Sequence, residues 1–302
     1  MIVVTGTKRS GTSMWMQLLT AAGFPPIGNA FPRNWEKTIK GANPAGFWES
    51  QLRSGIYYKT NPDPKTGTYL FPEDTRRHAV KVFIPGLIRT DRAFIGKVVA
   101  TVRPWRQYVR SLGRLYAMER EAQREARKKK ESDLPDPVVL SPVIEWWVEN
   151  FSLFSDIVTR RYPFYMVAYE SVLEDPNKTL RGIFDWLGDG DVEAAIKQVE
   201  PALRTQDDGA DNAADDSPNE EDDIEPEVVE VFDALYEVVR NQEPLQQAFV
   251  DRLNEANQRL SKRIETAVRE TARAQLERKR LIEARRKARK ARGEGPEAPK
   301  TE

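Results

Sequence analysis

The stretch Gly6-Thr7-Lys8-Arg9-Ser10-Gly11-Thr12-Ser13 has the residue types and spacing of a phosphate-binding loop. In the nucleotide-binding form G-x-x-x-x-G-K-[ST], backbone N–H groups cradle phosphates, the lysine neutralises the outer phosphates and the hydroxyl holds magnesium. Here Thr12 stands where that lysine belongs, so the cradle is kept and the triphosphate machinery is not. A second constellation follows at Arg103 and Ser111. The strand-like run Lys97-Val98-Val99-Ala100-Thr101-Val102 ends in Arg103-Pro104, and proline suits a first helical turn. A helix beginning near Trp105 puts Ser111 about two turns along. A guanidinium and a hydroxyl would then meet a second phosphate, in a pocket separate from the first.

The elements needed to hold these groups are also legible. Met1-Ile2-Val3-Val4-Thr5 is a short apolar, β-branched run, and Ser13-Met14-Trp15-Met16-Gln17-Leu18-Leu19 opens an amphipathic helix. Strand, glycine-bounded loop and helix therefore follow without a gap, with the helix pointing its unpaired N–H groups and positive dipole end at the loop. Strands near Ile2-Val4, Ala79-Ile84, Val98-Val102 and Phe164-Ala168 alternate with helices. That alternation predicts an α/β, P-loop-like three-layer sandwich with a mostly parallel central sheet covered on both faces. Residues 1–241 are expected to form this domain, and 242–302 a charged helical extension with a disordered tail.

Taken together, the two phosphate sites resemble those of the sulfotransferase family, which uses 3'-phosphoadenosine 5'-phosphosulfate (PAPS) as donor. Arg9-Ser10-Gly11-Thr12-Ser13 is similar to that family's 5'-phosphosulfate loop, and Arg103 with Ser111 has its arginine-to-serine interval for the 3'-phosphate. Asn43-Pro44-Ala45-Gly46-Phe47-Trp48-Glu49 is similar to a segment of bacterial members. The run Val167-Ala168-Tyr169-Glu170-Ser171-Val172-Leu173-Glu174-Asp175-Pro176 resembles the strand and loop that place a tyrosine near the adenine. The resemblance spans Met1 to about Arg240 and implies a donor site at Lys8, Arg9, Ser10, Gly11, Thr12, Ser13, Arg103, Ser111 and Tyr169. It also implies PAPS as donor without a required metal, since a phosphosulfate needs neither the Walker lysine nor magnesium.

The resemblance breaks at the base. Cytosolic eukaryotic members carry a histidine in a Lys-x-His-x-Pro pattern, whereas Lys81-Val82-Phe83-Ile84-Pro85 has Phe83 in its place. Glu49 is the candidate base, because a carboxylate desolvated beside Phe47 and Trp48 takes up a proton more readily. A capping or ion-pairing role for Glu49 fits the sequence equally well. His78 is the one histidine. Histidine is the side chain best suited to proton transfer at neutral pH, but the flanking Arg76-Arg77 and the apolar run after it suit a solvated strand start. Arg9 is assigned electrostatic work on the transferred group, since arginine is a poor proton donor. One histidine and no cysteine exclude nitrogen- and sulfur-ligand zinc sites, haem attachment and cysteine nucleophiles.

Charge bounds the remainder. The chain of 302 residues carries 47 basic and 47 acidic side chains, yet the signs are segregated. Residues 206–227 form an acidic run with no basic residue and are expected to be a disordered loop. Val228, Val229, Val231, Phe232, Leu235, Tyr236, Val238 and Val239 then make an apolar helical face that should pack on the domain. Leu253, Leu260, Ala267, Ala274, Leu281 and Ala288 recur every seven residues, but Arg263, Glu270 and Glu277 occupy the matching positions. Such half a coiled-coil seam predicts a long exposed helix with weak self-association. The basic end of that helix lacks aromatics and large apolars, so neither nucleic acid nor membrane insertion is expected. Residues 116–142 read as a lid-like insertion with a charged helix, Glu119 to Glu131, over the acceptor. Trp146 and Trp147 read as core. No apolar run reaches spanning length and no leader precedes the first strand, so the expected location is the cytoplasm. The acceptor, whether small molecule, glycan or peptide, is open. Two rivals stand beside a PAPS-dependent sulfotransferase: a small-molecule kinase using the loop with ATP, and an inactive donor-binding scaffold with a helical arm.

Overall fold

The computed structural model describes residues 1–30, 48–128, 138–199 and 224–291. The chain begins with β1 (Ile2–Gly6), α1 (Thr12–Ala21), β2 (Pro26–Ile27), β3 (Asn29–Ala30), β4 (Trp48–Glu49) and β5 (Ala79–Lys81). It continues through α2 (Ile84–Arg89), β6 (Lys97–Val102), α3 (Trp105–Lys128), α4 (Pro142–Arg160) and β7 (Phe164–Ala168). It ends with α5 (Tyr169–Glu174), α6 (Pro176–Leu187), α7 (Val192–Lys197), α8 (Pro226–Arg240) and α9 (Gln247–Ala291).

Five strands pair in the order β2-β5-β1-β6-β7, all parallel, and β3 with β4 forms a small antiparallel pair. The all-apolar, β-branched start of β1 explains its central place, because a parallel strand is covered on both faces. Alternate side chains sort by face. Val3, Val80, Val98, Ala100 and Val102 enter one core with α2, α3, α4, α8 and α9. Ile2, Val4, Ala79, Val99 and Val167 enter the other with α1, α6 and α7. The three-layer α/β sandwich expected from the alternation of elements is present, and the loop after β1 opens at the carboxyl ends of the strands, where such sheets bind ligands.

Two local features differ from the sequence reading. β5 stops at Lys81 instead of running to Ile84, because Pro85 sits in the first turn of α2 and turns the chain. The charged segment after Tyr116 is no separate inserted helix: α3 runs unbroken from Trp105 to Lys128. Of the lid-like stretch, residues 129–137 lie outside the described residues. The acidic stretch is described only from residue 224, where Ile224 is 6% exposed in the core and Glu225 pairs with Arg259 at 3.0 Å. Residues 206–223 of the expected acidic loop lie outside the described residues. Residues 31–47, with most of the Asn43-to-Glu49 motif, and the 296–302 tail also lie outside the described residues.

The expected apolar face of α8 is buried at Val228, Val231, Phe232, Leu235, Tyr236 and Val239. Phe232 stacks on Trp147, with ring centroids 4.8 Å apart, and both tryptophans are core. α9 spans about 68 Å at 1.5 Å per residue. Its Leu253, Ala256 and Leu260 are buried against α4 and α8, so the first two positions of the sevenfold repeat are already covered within the chain. No described helix is long and apolar enough to cross a membrane.

Candidate functional site

The loop between β1 and α1 is held by its own hydrogen bonds. Ser10 Oγ donates to Thr7 O at 2.7 Å, and Thr101 Oγ1, from β6, donates to Ser10 O at 2.7 Å. The Ser10 hydroxyl thus shapes the loop and leaves ligand contacts to the backbone. Both glycines are required by close approach. A Cβ on Gly6 would lie 2.5 Å from Ser10 Oγ and from Thr101 O, and one on Gly11 would lie 2.6 Å from a ring carbon of Tyr169. Gly11 is also the N-cap of α1 at φ 93, and no side chain caps that helix end. The first N–H groups of α1, which begins at the buried Thr12, are left for an outside acceptor. Thr7 Oγ1, buried in the same loop, has no hydrogen-bond partner among the described residues. An uncapped helix end, a cradle that only glycine allows and an orphaned hydroxyl together fit the phosphates of a nucleotide-type ligand.

Cations converge on this cradle. Arg9, in the left-handed region at φ 66, turns its side chain so that Nε donates to Ser111 Oγ at 3.1 Å. Arg103, 5% exposed, donates from a terminal nitrogen to Arg9 O at 3.1 Å and lies 5.0 Å over the Tyr169 ring. Trp146 Nε1 donates to Arg103 O at 3.0 Å and so fixes the strand end that carries the guanidinium. Burial, then Arg103, with Arg114 adding to it, pushes the Arg9 guanidinium down to about 10. Like charges gathered in partial burial are unfavourable without an anion. The two groups of side chains expected to form separate phosphate pockets therefore adjoin, with Arg9 reaching from the loop to Ser111. Tyr169, expected beside an adenine, lies against Gly11 and Arg103.

Lys8 points elsewhere. Its Nζ donates to Glu145 Oε1 at 2.8 Å and to Tyr116 OH at 3.1 Å, while Tyr116 OH donates to Glu145 Oε2 at 2.9 Å. Burial opposes the charge, but Glu145 and Tyr116 outweigh it and hold the amine well above the usual lysine range. Lys8 is a tether from the loop to α3 and α4.

On the other side of the loop, Ser13 Oγ accepts from Trp48 N at 3.0 Å and from Lys81 Nζ at 3.4 Å. Lys81 Nζ is 2.8 Å from Glu49 Oε1, and Arg53 is 3.6 Å from Glu49 Oε2. Glu49 is 7% and Lys81 3% exposed. Glu49 is therefore buried between two cations; Phe47, expected beside it, lies outside the described residues. Burial lowers the Lys81 amine despite the opposing pull of Glu49. Lys81 is a buried charge at this site to which the sequence reading gave no role. Its signal was a lysine closing the apolar run Ala79-Val80-Lys81-Val82, where a charge at the carboxyl end of a buried strand needs a partner. Phe83 lies under the Lys81 amine, which is 5.2 Å from the ring centroid.

His78 is not brought to this site. It precedes Ala79, which pairs with Ile2 at the start of β1, so it sits at the amino ends of the parallel strands, opposite the loop. Among the described residues no group of three or more metal-ligating side chains occurs.

No protein-family model matches the chain, and no curated protein does either. Among solved structures it is similar to a sulfotransferase domain from the Synechococcus PCC 7002 olefin synthase, at 13% identity and a TM-score of 0.36, over 67% of this chain and 85% of that one. It is also similar to sulfotransferase STF1 from Mycobacterium tuberculosis H37Rv, at 17% identity and a TM-score of 0.35, over 65% and 69%. A third is a sulfotransferase domain from the curacin biosynthetic pathway, at 12% identity and a TM-score of 0.36, over 86% and 96%.

Proposed function

We propose that this protein is a PAPS-dependent sulfotransferase. The observation that carries the reading is the convergence of Arg9, Arg103 and Ser111 on a lysine-less phosphate cradle. Two adjoining cationic groups suit a ligand with two separated anionic groups, a 5'-phosphosulfate and a 3'-phosphate, better than a linear triphosphate held by lysine and magnesium. The acceptor oxygen or nitrogen forms a bond to sulfur as the bond from sulfur to the 5'-phosphate oxygen breaks. The electron pair leaves with 3'-phosphoadenosine 5'-phosphate, and the acceptor proton passes to Glu49. Arg9 and the loop N–H groups stabilise charge on the leaving oxygen. Lys81, bridging Ser13 and Glu49, orients the base and adds positive charge beside the transferred group.

One observation favours the ATP reading: the Lys81 amine beside Ser13 supplies a lysine the motif itself lacks. Calorimetric titration separates the two. The protein should bind 3'-phosphoadenosine 5'-phosphate in magnesium-free buffer in preference to ATP and adenosine 5'-phosphate, and Arg103→Ala should weaken that binding sharply. A magnesium-dependent preference for ATP would replace the sulfotransferase reading with a kinase.

A further inference from the structure

Two successive residues of α4 hold the two segments that carry Arg9 and Arg103. Glu145, in the first turn of α4 and 7% exposed, takes the Lys8 amine on Oε1 at 2.8 Å and the Tyr116 hydroxyl on Oε2 at 2.9 Å. Tyr116 OH also accepts from Lys8 Nζ at 3.1 Å, so amine, phenol and carboxylate close a ring in which both carboxylate oxygens are engaged. The next residue, Trp146, is fully buried and donates from Nε1 to Arg103 O at 3.0 Å. Successive helical side chains diverge by about 100°. One therefore reaches the phosphate loop while the other reaches the end of β6.

The ring bears on Arg9 because Lys8 is the residue before it. Arg9 lies in the left-handed region at φ 66, a conformation that the Cβ of an L-residue opposes. Its guanidinium also faces the like charges of Arg103 and Arg114. Both effects favour an Arg9 that rotates about its own backbone and leaves Ser111. The chain is held on either side of that rotation. After the Arg9 Cα, Arg103 donates to Arg9 O at 3.1 Å and Thr101 Oγ1 donates to Ser10 O at 2.7 Å. Before it, the ring anchors Lys8 to α3 and α4. Releasing Lys8 frees one end of the rotation and lets the guanidinium drift from the place where the loop and Ser111 direct it, while Arg103 keeps its own hold through Trp146.

We infer that Glu145 is a positioning residue of the donor site: acting through Lys8, it holds Arg9 where the guanidinium meets the 5'-anion of the ligand. The inference rests on the sulfotransferase reading of the loop. The test is calorimetric titration of wild type, Glu145→Gln, Lys8→Met, Arg9→Ala and the double variants of Glu145→Gln with each of the other two. The ligands are 3'-phosphoadenosine 5'-phosphate, adenosine 5'-phosphate and adenosine 3'-phosphate, and thermal denaturation is recorded on the same samples. Glu145→Gln should weaken the bisphosphate and adenosine 5'-phosphate about tenfold and adenosine 3'-phosphate by no more than about twofold, as for a coupling carried by one chain of contacts. Lys8→Met should give the same pattern. Adding Glu145→Gln to Lys8→Met or to Arg9→Ala should bring no further loss. Equal weakening of all three ligands overturns the inference, as does a loss that persists at full size without Arg9. A lowered thermal midpoint with unchanged affinities makes the ring purely structural and overturns it too. A wild type that prefers ATP with magnesium overturns the sulfotransferase reading alone, because adenosine 5'-phosphate still reads the effect of Glu145. A wild type that binds none of the nucleotides overturns both.

Discussion

Around the Gly6-to-Ser13 loop, Arg103 and Lys81 are 5% and 3% exposed, and Arg9 lies beside like-charged Arg103 and Arg114. Along α9, Arg269 and Arg273 stand in solvent and pair one turn away with Glu265 and Glu277 at 2.5 and 3.3 Å. The same residue types have opposite energetics in the two regions. Exposed pairs four residues apart are screened and contribute little each. Buried cations facing one another oppose folding unless a ligand or a carboxylate offsets them. Charge at the strand ends therefore has to be matched by a partner, as Glu49 matches Lys81 at 2.8 Å, whereas charge on the helix is carried by solvent.

The comparison is broken or sharpened by substitutions in both regions. Arg9→Ala should have the largest effect, lowering kcat/KM for sulfate transfer by about 10³-fold, as loss of a transition-state donor does. A loss confined to affinity would instead favour a donor-binding scaffold. Glu49→Gln should lower kcat about 10²-fold with little change in bisphosphate binding, within the range of general-base loss. An unchanged rate removes the base assignment.

Gly11→Ala forces a side chain into the left-handed region and against Tyr169, so thermal denaturation should show a loss of about 1–3 kcal/mol together with weakened bisphosphate binding. Glu149 gives a pH-dependent contrast. Burial, then Glu145, pushes this half-buried carboxyl up to about 8. The folded state keeps a proton that the unfolded chain has released above the ordinary carboxylate range, so the stability from this group is complete in acid and lost as pH rises through about 8. Urea midpoints should fall from pH 5 to pH 8 in the wild type and fall less in Glu149→Gln, a difference of roughly 1–3 kcal/mol. Equal slopes would mean that the carboxyl stays hydrated. At the far end, Arg273→Ala on α9 should shift stability by no more than about 0.5 kcal/mol. A larger loss would show that the helix charges carry structure after all.

Local chemistry was legible in the chain itself. Gly6 and Gly11 marked the loop because only glycine permits those close approaches, and Arg103 with Ser111 was visible as a fixed interval on one helix start. β1 and β6 followed from short apolar β-branched runs, β7 from a short aromatic and apolar run, and α8 from its 3–4 spacing of apolar residues. These signals depend on neighbours within a few residues, which backbone geometry ties to sequence order. What only the tertiary structure decided was which side chains meet across long separations. Lys8 pairs with Glu145 across 137 residues, Arg9 reaches Ser111 across 102, and Lys81 reaches Glu49 across 32. The pairing of Lys8 with Glu145, the meeting of Arg9 with Ser111 and the burial of Glu49 beside Lys81 all arise from packing the sheet against its two helical layers. No periodicity encodes such meetings, because partner choice among charged side chains is fixed by the fold that buries them.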